Sequence, residues 1–255
     1  MKKQKKSKEK REKTESHKKG ETKKQNSPVK QEKKIRVSTG IKKFDNLIQG
    51  GFLKNSTNLL VGRSGSGKSI FAVQFLIEGI KKGENCLFIS FEEKREDFFG
   101  HMKSLGLNLE DLERKGKFFF LEYTPSKVRV MLDEGGGAIE SIVLKNKVQR
   151  IVLDSVSSLM LLFEKDLEKK EAMFFLSNLT KSWNCTTLLT YEENLSLERD
   201  TSRILDLETD SIILFYFLRE AHKRGRFFEI LKMRGTSHSL DLHHFRIENN
   251  GIIVH

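Results

Sequence analysis

The segment from Gly62 to Ser69 constrains the fold of this chain more than any other part of its 255 residues. It reads Gly-Arg-Ser-Gly-Ser-Gly-Lys-Ser and matches in full the phosphate-loop pattern G-x-x-x-x-G-K-[S/T]. The apolar run Leu59–Val61 precedes it, and apolar residues follow at helical spacing from Ile70 to Ile80. Strand, loop and helix therefore occur in the order that a phosphate-binding unit requires, which argues against a chance match in a surface loop.

Each residue type in this loop suits the binding of a nucleoside triphosphate with magnesium. Glycines let backbone N–H groups point at phosphate oxygens. We expect such contacts from Gly62, Ser64, Gly65, Ser66 and Gly67. Lys68 should reach the outer phosphates, and Ser69 should offer its hydroxyl to the metal. The predicted cofactors are therefore ATP and Mg²⁺.

Runs of strand length alternate with amphipathic stretches in the rest of the chain. Strands are predicted at 86–91, 117–123, 150–154 and 186–191, and helices at 94–105, 137–147 and 167–183. This alternation is typical of an α/β fold with a mostly parallel sheet flanked by helices. Strands separated by turns follow at 210–218, 226–233, 243–248 and 252–254, which predicts an antiparallel C-terminal extension. We interpret Gly135–Gly137 as a flexible connection.

Two acidic segments suit chemistry beside a phosphate loop. Arg150–Asp154 is an apolar run that ends in a carboxylate, as in a Walker B strand, and we expect Asp154 to hold Mg²⁺, mostly through water. Glu92 and Glu93 follow the strand predicted at 86–91. Neighbouring strand residues face opposite ways, so one of the two acids can face the γ-phosphate and orient or deprotonate water. An ordinary acidic helix start is the alternative.

The formal charge of +12 is concentrated at the N-terminus. Residues 1–34 carry fifteen Lys or Arg against five Glu, a net of +10, and the other 221 residues are close to balance at +2. With Val29 as its one aliphatic residue after Met1, this Lys-rich tail is predicted to be disordered. Lysine without interleaved aromatic residues favours nonspecific contact with RNA, DNA or another polyanion. A solubilising tail without a partner is an equal alternative.

Other features exclude several classes of site. Cys86 and Cys185 lie in apolar runs and are predicted to be core residues, so neither a disulfide nor a thiolate zinc site is expected. His243 and His244 are adjacent on a predicted strand and face opposite ways, so they cannot share one metal.

No stretch is long enough to span a bilayer, and the tail lacks the apolar region of a secretory signal. A cytoplasmic protein without membrane contact is expected.

Several blocks of sequence together resemble the KaiC-type branch of the RecA superfamily. They lie at 37–41, 44–45, 50–51, 62–69, 90–93, 153–155 and 232–238. The last block, Lys-Met-Arg-Gly-Thr-Ser-His, is the most specific. The resemblance implies a RecA-type P-loop NTPase fold, with a KaiC/RecA-like ATPase domain over residues 35–255 preceded by the tail.

The resemblance also implies a site that is built from two subunits. In that family the Lys-x-Arg-Gly-x-x-His segment reaches across a subunit boundary onto the neighbour's nucleotide. The residues that would bind the adjacent subunit's ATP are Lys232, Met233, Arg234, Thr236 and His238. Arg234 would act on the γ-phosphate and complete a catalytic set with Glu92 and Glu93. A head-to-tail homo-oligomer, hexameric by family precedent, follows. Without the resemblance, Lys232 and Arg234 would be interpreted as solvated charges at a strand end.

The predicted function is that of a magnesium-dependent ATPase that cycles as a ring and signals to an unidentified protein client. A RecA/RadA-like recombination or repair protein is an alternative, but residues 192–210 carry seven acids against Arg199 and Arg203, and a net of −5 repels DNA. A scaffold that binds ATP without hydrolysing it is a further alternative, since assembly and turnover use the same residues. The presence of Glu92 and Glu93 favours turnover.

Autokinase activity is not expected, although the resemblance raises it. The clock members of the family have two ATPase domains and phosphorylate hydroxyl residues just before the strand that matches 210–218. Here that approach reads Asp206-Leu207-Glu208, and the hydroxyls of Thr201 and Ser202 lie slightly upstream. Clock function does not follow from the family name alone.

Overall fold

The computed structural model of the chain describes residues 34–124, 127, 130, 137–197, 208–220 and 222–255. Its strands are β1 (Arg36–Val37), β2 (Phe52–Leu53), β3 (Thr57–Gly62), β4 (Asn85–Ser90), β5 (Phe118–Glu122), β6 (Val148–Asp154), β7 (Thr186–Glu192), β8 (Ser211–Glu220), β9 (Lys223–Met233), β10 (His243–Glu248) and β11 (Gly251–Val254). Its helices are α1 (Lys42–Leu47), α2 (Lys68–Lys81), α3 (Arg95–Ser104), α4 (Leu109–Arg114), α5 (Gly137–Lys145), α6 (Val156–Met160) and α7 (Asp166–Ser182). Three segments named in the sequence analysis lie outside these ranges. They are residues 1–33 of the predicted tail, Gly135–Gly136 and residues 198–207.

One large sheet carries the described fold, with the strand order β11-β10-β9-β8-β3-β7-β6-β4-β5. The strands from β8 to β5 in that order are parallel to one another, and β9, β10 and β11 pair antiparallel at one side. Both features were predicted, because strand and helix patterns alternate up to residue 192 and turns alone separate the last strands. The α/β fold with a mostly parallel sheet and an antiparallel C-terminal extension is confirmed.

Apolar residues alternate between the two faces of the sheet, and each face is covered. One face packs against α1, α2 and α3 through the strand residues Leu60, Phe88, Val152, Leu188 and Ile213. The other packs against α5, α6 and α7 through Leu59, Leu87, Ile151, Leu189 and Ile212. Consecutive side chains of a strand point to opposite faces, so a strand that is covered on both sides must be apolar throughout. Cys86 and Cys185 are buried in this core, as predicted.

Several short elements were missed by the sequence analysis. The pair β1–β2, the helices α1 and α6, and the helix α4 after the predicted 94–105 helix all have six residues or fewer. Such segments complete too few turns or pleats to show a period. Strand geometry does not set the orientations of Glu92 and Glu93, contrary to the expectation from sequence, because β4 ends at Ser90 and both acids lie on the bend that follows it.

Candidate nucleotide site

The predicted phosphate loop joins the central strand β3 to helix α2. Strand β3 ends at Gly62 and α2 begins at Lys68, so the loop lies at the carboxyl end of the sheet and its backbone leads into a helix N-terminus. Gly67 has a φ of 107°, which favours glycine. A side chain at Gly62 would lie 2.3 Å from the carbonyl oxygen of Phe215 in β8. These two glycines therefore let the loop curl tightly against its neighbouring strand.

Lys68 is the first residue of α2, and its ammonium turns back onto the loop. Its Nζ donates to the carbonyl oxygens of Gly62, at 2.7 Å, and of Arg63, at 3.1 Å. Burial lowers the pKa of Lys68, and the carboxylates of Asp154, Glu192 and Glu92 act against that shift. The lysine is thus a buried cation whose charge is supported by nearby acids.

Asp154 and Ser69 meet beside this lysine. Asp154 is the last residue of β6, and its carboxylate accepts hydrogen bonds from the hydroxyls of Thr190 and Ser69. Burial raises the pKa of Asp154, while these two hydroxyls and Lys68 lower it. A hydroxyl and a carboxylate provide hard oxygen donors of the kind that Mg²⁺ prefers, and the rest of its shell normally comes from phosphate and water. The two residues predicted to hold magnesium therefore fit that ion.

The described residues hold no cluster of three or more His, Cys, Asp or Glu side chains that would suit another metal. His243 and His244 contact different aromatic rings, Phe228 and Phe227, in keeping with the opposite orientations expected of strand neighbours.

Glu92 and Glu93 enter the site from the bend after β4. The Oε1 atom of Glu92 accepts a hydrogen bond of 2.8 Å from the hydroxyl of Ser158 in α6. The Oε2 atom of Glu93 lies 3.2 Å from Nδ1 of His101 in α3. The two carboxylates thus have different partners, which distinguishes them although the sequence analysis could not.

These groups surround a cavity of about 260 Å³ at the carboxyl end of the sheet. It is lined by Ser64, Gly65, Gly67, Lys68, Ser69, Ile70, Glu92, Glu93, Asp154, Ser155, Glu192, Arg226 and Ile247. A second cavity, of about 340 Å³, lies between α2, α4 and Asn250 and has no phosphate loop in its lining. The chemistry of the walls, rather than the volume, therefore marks the smaller cavity as the candidate site.

Two charged residues of the lining were missed by the sequence analysis. The Nε atom of Arg226 in β9 donates to the carbonyl oxygen of Gly65 at 3.1 Å, and its guanidinium lies 4.6 Å from the ring centre of Phe217. Glu192, at the end of β7, accepts a hydrogen bond of 2.9 Å from the backbone N–H of Ser64. Arg226 belonged to a predicted strand without a motif, and only the pairing of β9 with β8 places it at the loop.

The segment Lys232–His238 lies at the opposite end of the sheet. Met233 pairs with Ser211, which pairs with Asn58 at the beginning of β3, whereas the phosphate loop follows the end of that strand. The four residue-to-residue steps from Asn58 to Gly62 span roughly 13 Å at about 3.3 Å per step. None of the predicted residues of this segment, namely Lys232, Met233, Arg234, Thr236 and His238, lines the cavity of the same chain.

The side chains of this segment differ in how accessible they are. Met233 is buried, and burial lowers the pKa of Lys232, with Arg234 adding to that shift. The Nδ1 atom of His238 lies 2.9 Å from the carbonyl oxygen of Ser239. The side chain of Arg234 is 53% exposed and approaches Glu208 at 3.3 Å. Arg234 is therefore paired with Glu208 and still partly open to solvent.

A family model described as "ATPase: KaiC" matches residues 37–255, which is nearly the whole of the described fold. The chain belongs to the KaiC family of ATPases. Family membership and the fold together identify a nucleotide-binding domain of the RecA type.

Two curated proteins and one solved structure illustrate the KaiC relationship. The circadian clock protein KaiC3 of Synechocystis sp. is 32% identical over 86% of this chain and 45% of its own length. The circadian clock oscillator protein KaiC of Parathermosynechococcus lividus is 31% identical over 85% of this chain and 41% of its own length. A crystal structure of a KaiC-like protein from Pyrococcus horikoshii has a TM-score of 0.75 and 31% identity, and covers 88% of this chain and 100% of that one.

The chain spans less than half the length of these curated KaiC relatives. It matches the archaeal KaiC-like chain over the full length of that protein. Within the described residues, no helix has both the length and the apolar character needed to cross a bilayer.

Proposed function

We propose that the chain is a magnesium-dependent ATPase whose active sites are completed by neighbouring subunits. The proposal rests on two positions in the fold. The cavity is lined by Lys68, Ser69, Asp154, Glu92 and Glu93. Arg234 of the same chain lies at the other end of the sheet. The first five residues supply phosphate binding, metal binding and water activation. A further positive charge at the γ-phosphate would come from the Arg234 of a second copy.

Each group has a defined task when ATP is bound. The N–H groups of the loop and Lys68 would neutralise the β- and γ-phosphates, and Mg²⁺ would add a Lewis acid that is held by Ser69 and Asp154. Glu92 would accept a proton from the attacking water or orient it, while Ser158 fixes the direction of its carboxylate. The contact with His101 would hold the Glu93 carboxylate beside Glu92.

Arg226 would contribute from the same subunit. Its guanidinium faces the cavity and is held between the Gly65 carbonyl oxygen and the Phe217 ring, so it presents a positive charge at the rim of the phosphate loop. Arg226 therefore serves nucleotide binding within one chain, whereas Arg234 serves it across the boundary between two chains.

The assembly that this arrangement requires is a head-to-tail homo-oligomer. An interface between different faces of identical subunits closes into a ring or continues as a filament, and the resemblance to KaiC proteins favours a ring of six. We further propose that this ring signals its nucleotide state to a protein client, and that residues 1–34 add nonspecific affinity for polyanions. The acid-rich stretch at 192–210 that argues against a DNA-binding loop is only partly described, because 198–207 fall outside the described residues.

The proposal is tested by measuring phosphate release from ATP with and without Mg²⁺. The parent protein is expected to hydrolyse ATP only with the metal, Lys68→Ala is expected to lose nucleotide binding, and Glu92→Gln is expected to bind ATP without turning it over. Arg114→Ala, which removes an exposed side chain that pairs with Asp111, serves as the control. Binding of ATP without turnover by the parent protein would contradict catalysis and support the scaffold alternative.

A further inference from the structure

Arg36, in the two-residue strand β1, holds the loop that carries Arg234. We propose that Arg36 is a positioning residue for catalysis, which sets the backbone of residues 234–236 so that Arg234 reaches the nucleotide of the neighbouring subunit. This inference rests on the proposed function, because it concerns how the shared site is completed. It assigns a role to a residue that lies outside the nucleotide cavity.

The hydrogen bonds of Arg36 connect two loops that are distant in sequence. Its Nη1 atom donates to Thr236 Oγ1 at 2.9 Å, to the Ile48 carbonyl oxygen at 3.2 Å and to the Gly51 carbonyl oxygen at 3.1 Å. Its Nη2 atom donates to Gln49 Oε1 at 2.9 Å. Arg36 thereby joins the turn after α1 to the loop after β9.

The loop is also fixed from its other side. The backbone N–H of Arg234 donates to the carbonyl oxygen of Asp210 at 2.8 Å. The Oδ2 atom of Asp210 accepts hydrogen bonds of 2.8 Å from the Thr57 backbone and from Lys181 Nζ, so this anchor is itself tied to β3 and α7. The backbone of the loop is thus held at both ends while the Arg234 side chain remains half exposed.

The chemistry of these contacts favours a positioning role over an ion pair. All four acceptors of Arg36 are neutral oxygens, and the described residues provide no carboxylate partner for it. A guanidinium presents several N–H donors in a fixed planar fork, whereas an ammonium cannot reach acceptors on both loops in the same geometry. Arg36→Lys is therefore expected to keep the charge and lose the connection.

The effect of Arg36 on catalysis is tested by measuring kcat for ATP and the affinity for nucleotide separately. Arg36→Ala and Arg36→Lys are each expected to lower kcat by about tenfold or more, because a displacement of the order of 1 Å in a catalytic group has effects of this size. Their affinity for a fluorescent ATP analogue should change much less, since the phosphate loop is intact. Gln49→Ala, which removes a partner of Arg36 outside the 234–236 loop, is the matched control and should retain activity.

A complementation experiment distinguishes positioning from loss of folding. Arg36→Ala chains have an intact phosphate loop, whereas Lys68→Ala chains have an intact Arg234 loop. Co-assembly of the two, with different affinity tags, is expected to produce activity that neither has alone, because mixed interfaces contain one complete site. A chain that merely misfolds would not be restored in this way.

The pair Arg234→Ala with Lys68→Ala is assembled in parallel. If that pair regains activity and the Arg36→Ala pair does not, or if Arg36→Ala alone is fully active, the positioning role of Arg36 is wrong while the shared site stands. If the Arg234→Ala pair also fails, the shared site itself is contradicted, and the role of Arg36 falls with it.

Discussion

The adjacent acids Glu92 and Glu93 have different side-chain partners, and this difference is visible only in the structure. Sequence placed them after a strand but could not assign different roles. In the structure Glu92 accepts a hydrogen bond from Ser158, on the helix that directly follows Asp154, whereas Glu93 lies beside the exposed His101. The link to the strand that ends in Asp154 makes Glu92 the better candidate for the group that acts on water.

Substitution of the two acids separately tests this distinction. Glu92→Gln should lower kcat for ATP by about 100-fold or more, the size typical of losing a general base, with little change in ATP affinity. Glu93→Gln should have a smaller effect, because the Glu93 carboxylate contacts the exposed His101 rather than α6. Single-turnover ATP hydrolysis and analogue binding measure both quantities, and a larger loss with Glu93→Gln would reverse the assignment.

Arg150 provides a test of stability that is independent of catalysis. It is 1% exposed, pairs with Glu84, and donates at 2.7 Å to the carbonyl oxygens of Ser38 and Phe75. Arg150→Ala should lower the free energy of unfolding by roughly 3 kcal/mol or more, since it leaves buried acceptors without partners. Urea unfolding measures this, with the exposed Arg114→Ala as control. Equal stability of the two variants would show that the Arg150 cluster contributes little.

Among the elements, the long periodic ones could be predicted and the short ones could not. Helix α2 and the strands of the parallel sheet follow from apolar spacing and from the phosphate loop. Helix α6 has five residues, yet it supplies Ser158 to Glu92, and no motif marks it. The contact of Arg226 with Gly65 depends on antiparallel pairing between β8 and β9, which is a property of the tertiary structure.

The hairpin formed by β8 and β9 allows a controlled test of the Arg226 contact. Arg226 and Arg224 both lie over the Phe217 ring, at 4.6 and 5.3 Å, but of the two only Arg226 lines the cavity. Arg226→Ala is expected to weaken ATP binding by about tenfold, in line with the loss of one hydrogen bond to a charged group, and Arg224→Ala should leave it unchanged. Calorimetric titration with ATP distinguishes them. Equal losses would point to general charge rather than to a local contact.

For the whole molecule, charge and catalysis are predicted to reside in different parts of the chain. The basic residues are concentrated in 1–34, whereas the phosphate site belongs to the fold that matches the KaiC family. Removal of residues 1–33 should abolish salt-dependent binding to single-stranded RNA or heparin and leave ATP hydrolysis per subunit unchanged. Retention of polyanion binding by the truncated protein would place that affinity on the ATPase domain instead.

Arg234 and the phosphate loop of the same chain are far apart in the fold. Under the proposed function, one subunit alone cannot complete a site, because its own Arg234 lies at the other end of the sheet. Sequence indicated this only through the resemblance of the segment Lys232–His238 to KaiC proteins. The register of β3, β8 and β9 adds a physical reason, because it places the two groups at opposite ends of one sheet.

Whether the site is shared between subunits is tested by steady-state ATP hydrolysis per subunit, measured over a wide range of protein concentration for the parent protein and for Arg234→Ala. We predict that the specific activity of the parent rises with concentration to a plateau and that Arg234→Ala stays near background throughout. A specific activity that is independent of concentration down to the monomeric range, or an Arg234→Ala variant as active as the parent, would contradict a site shared between subunits.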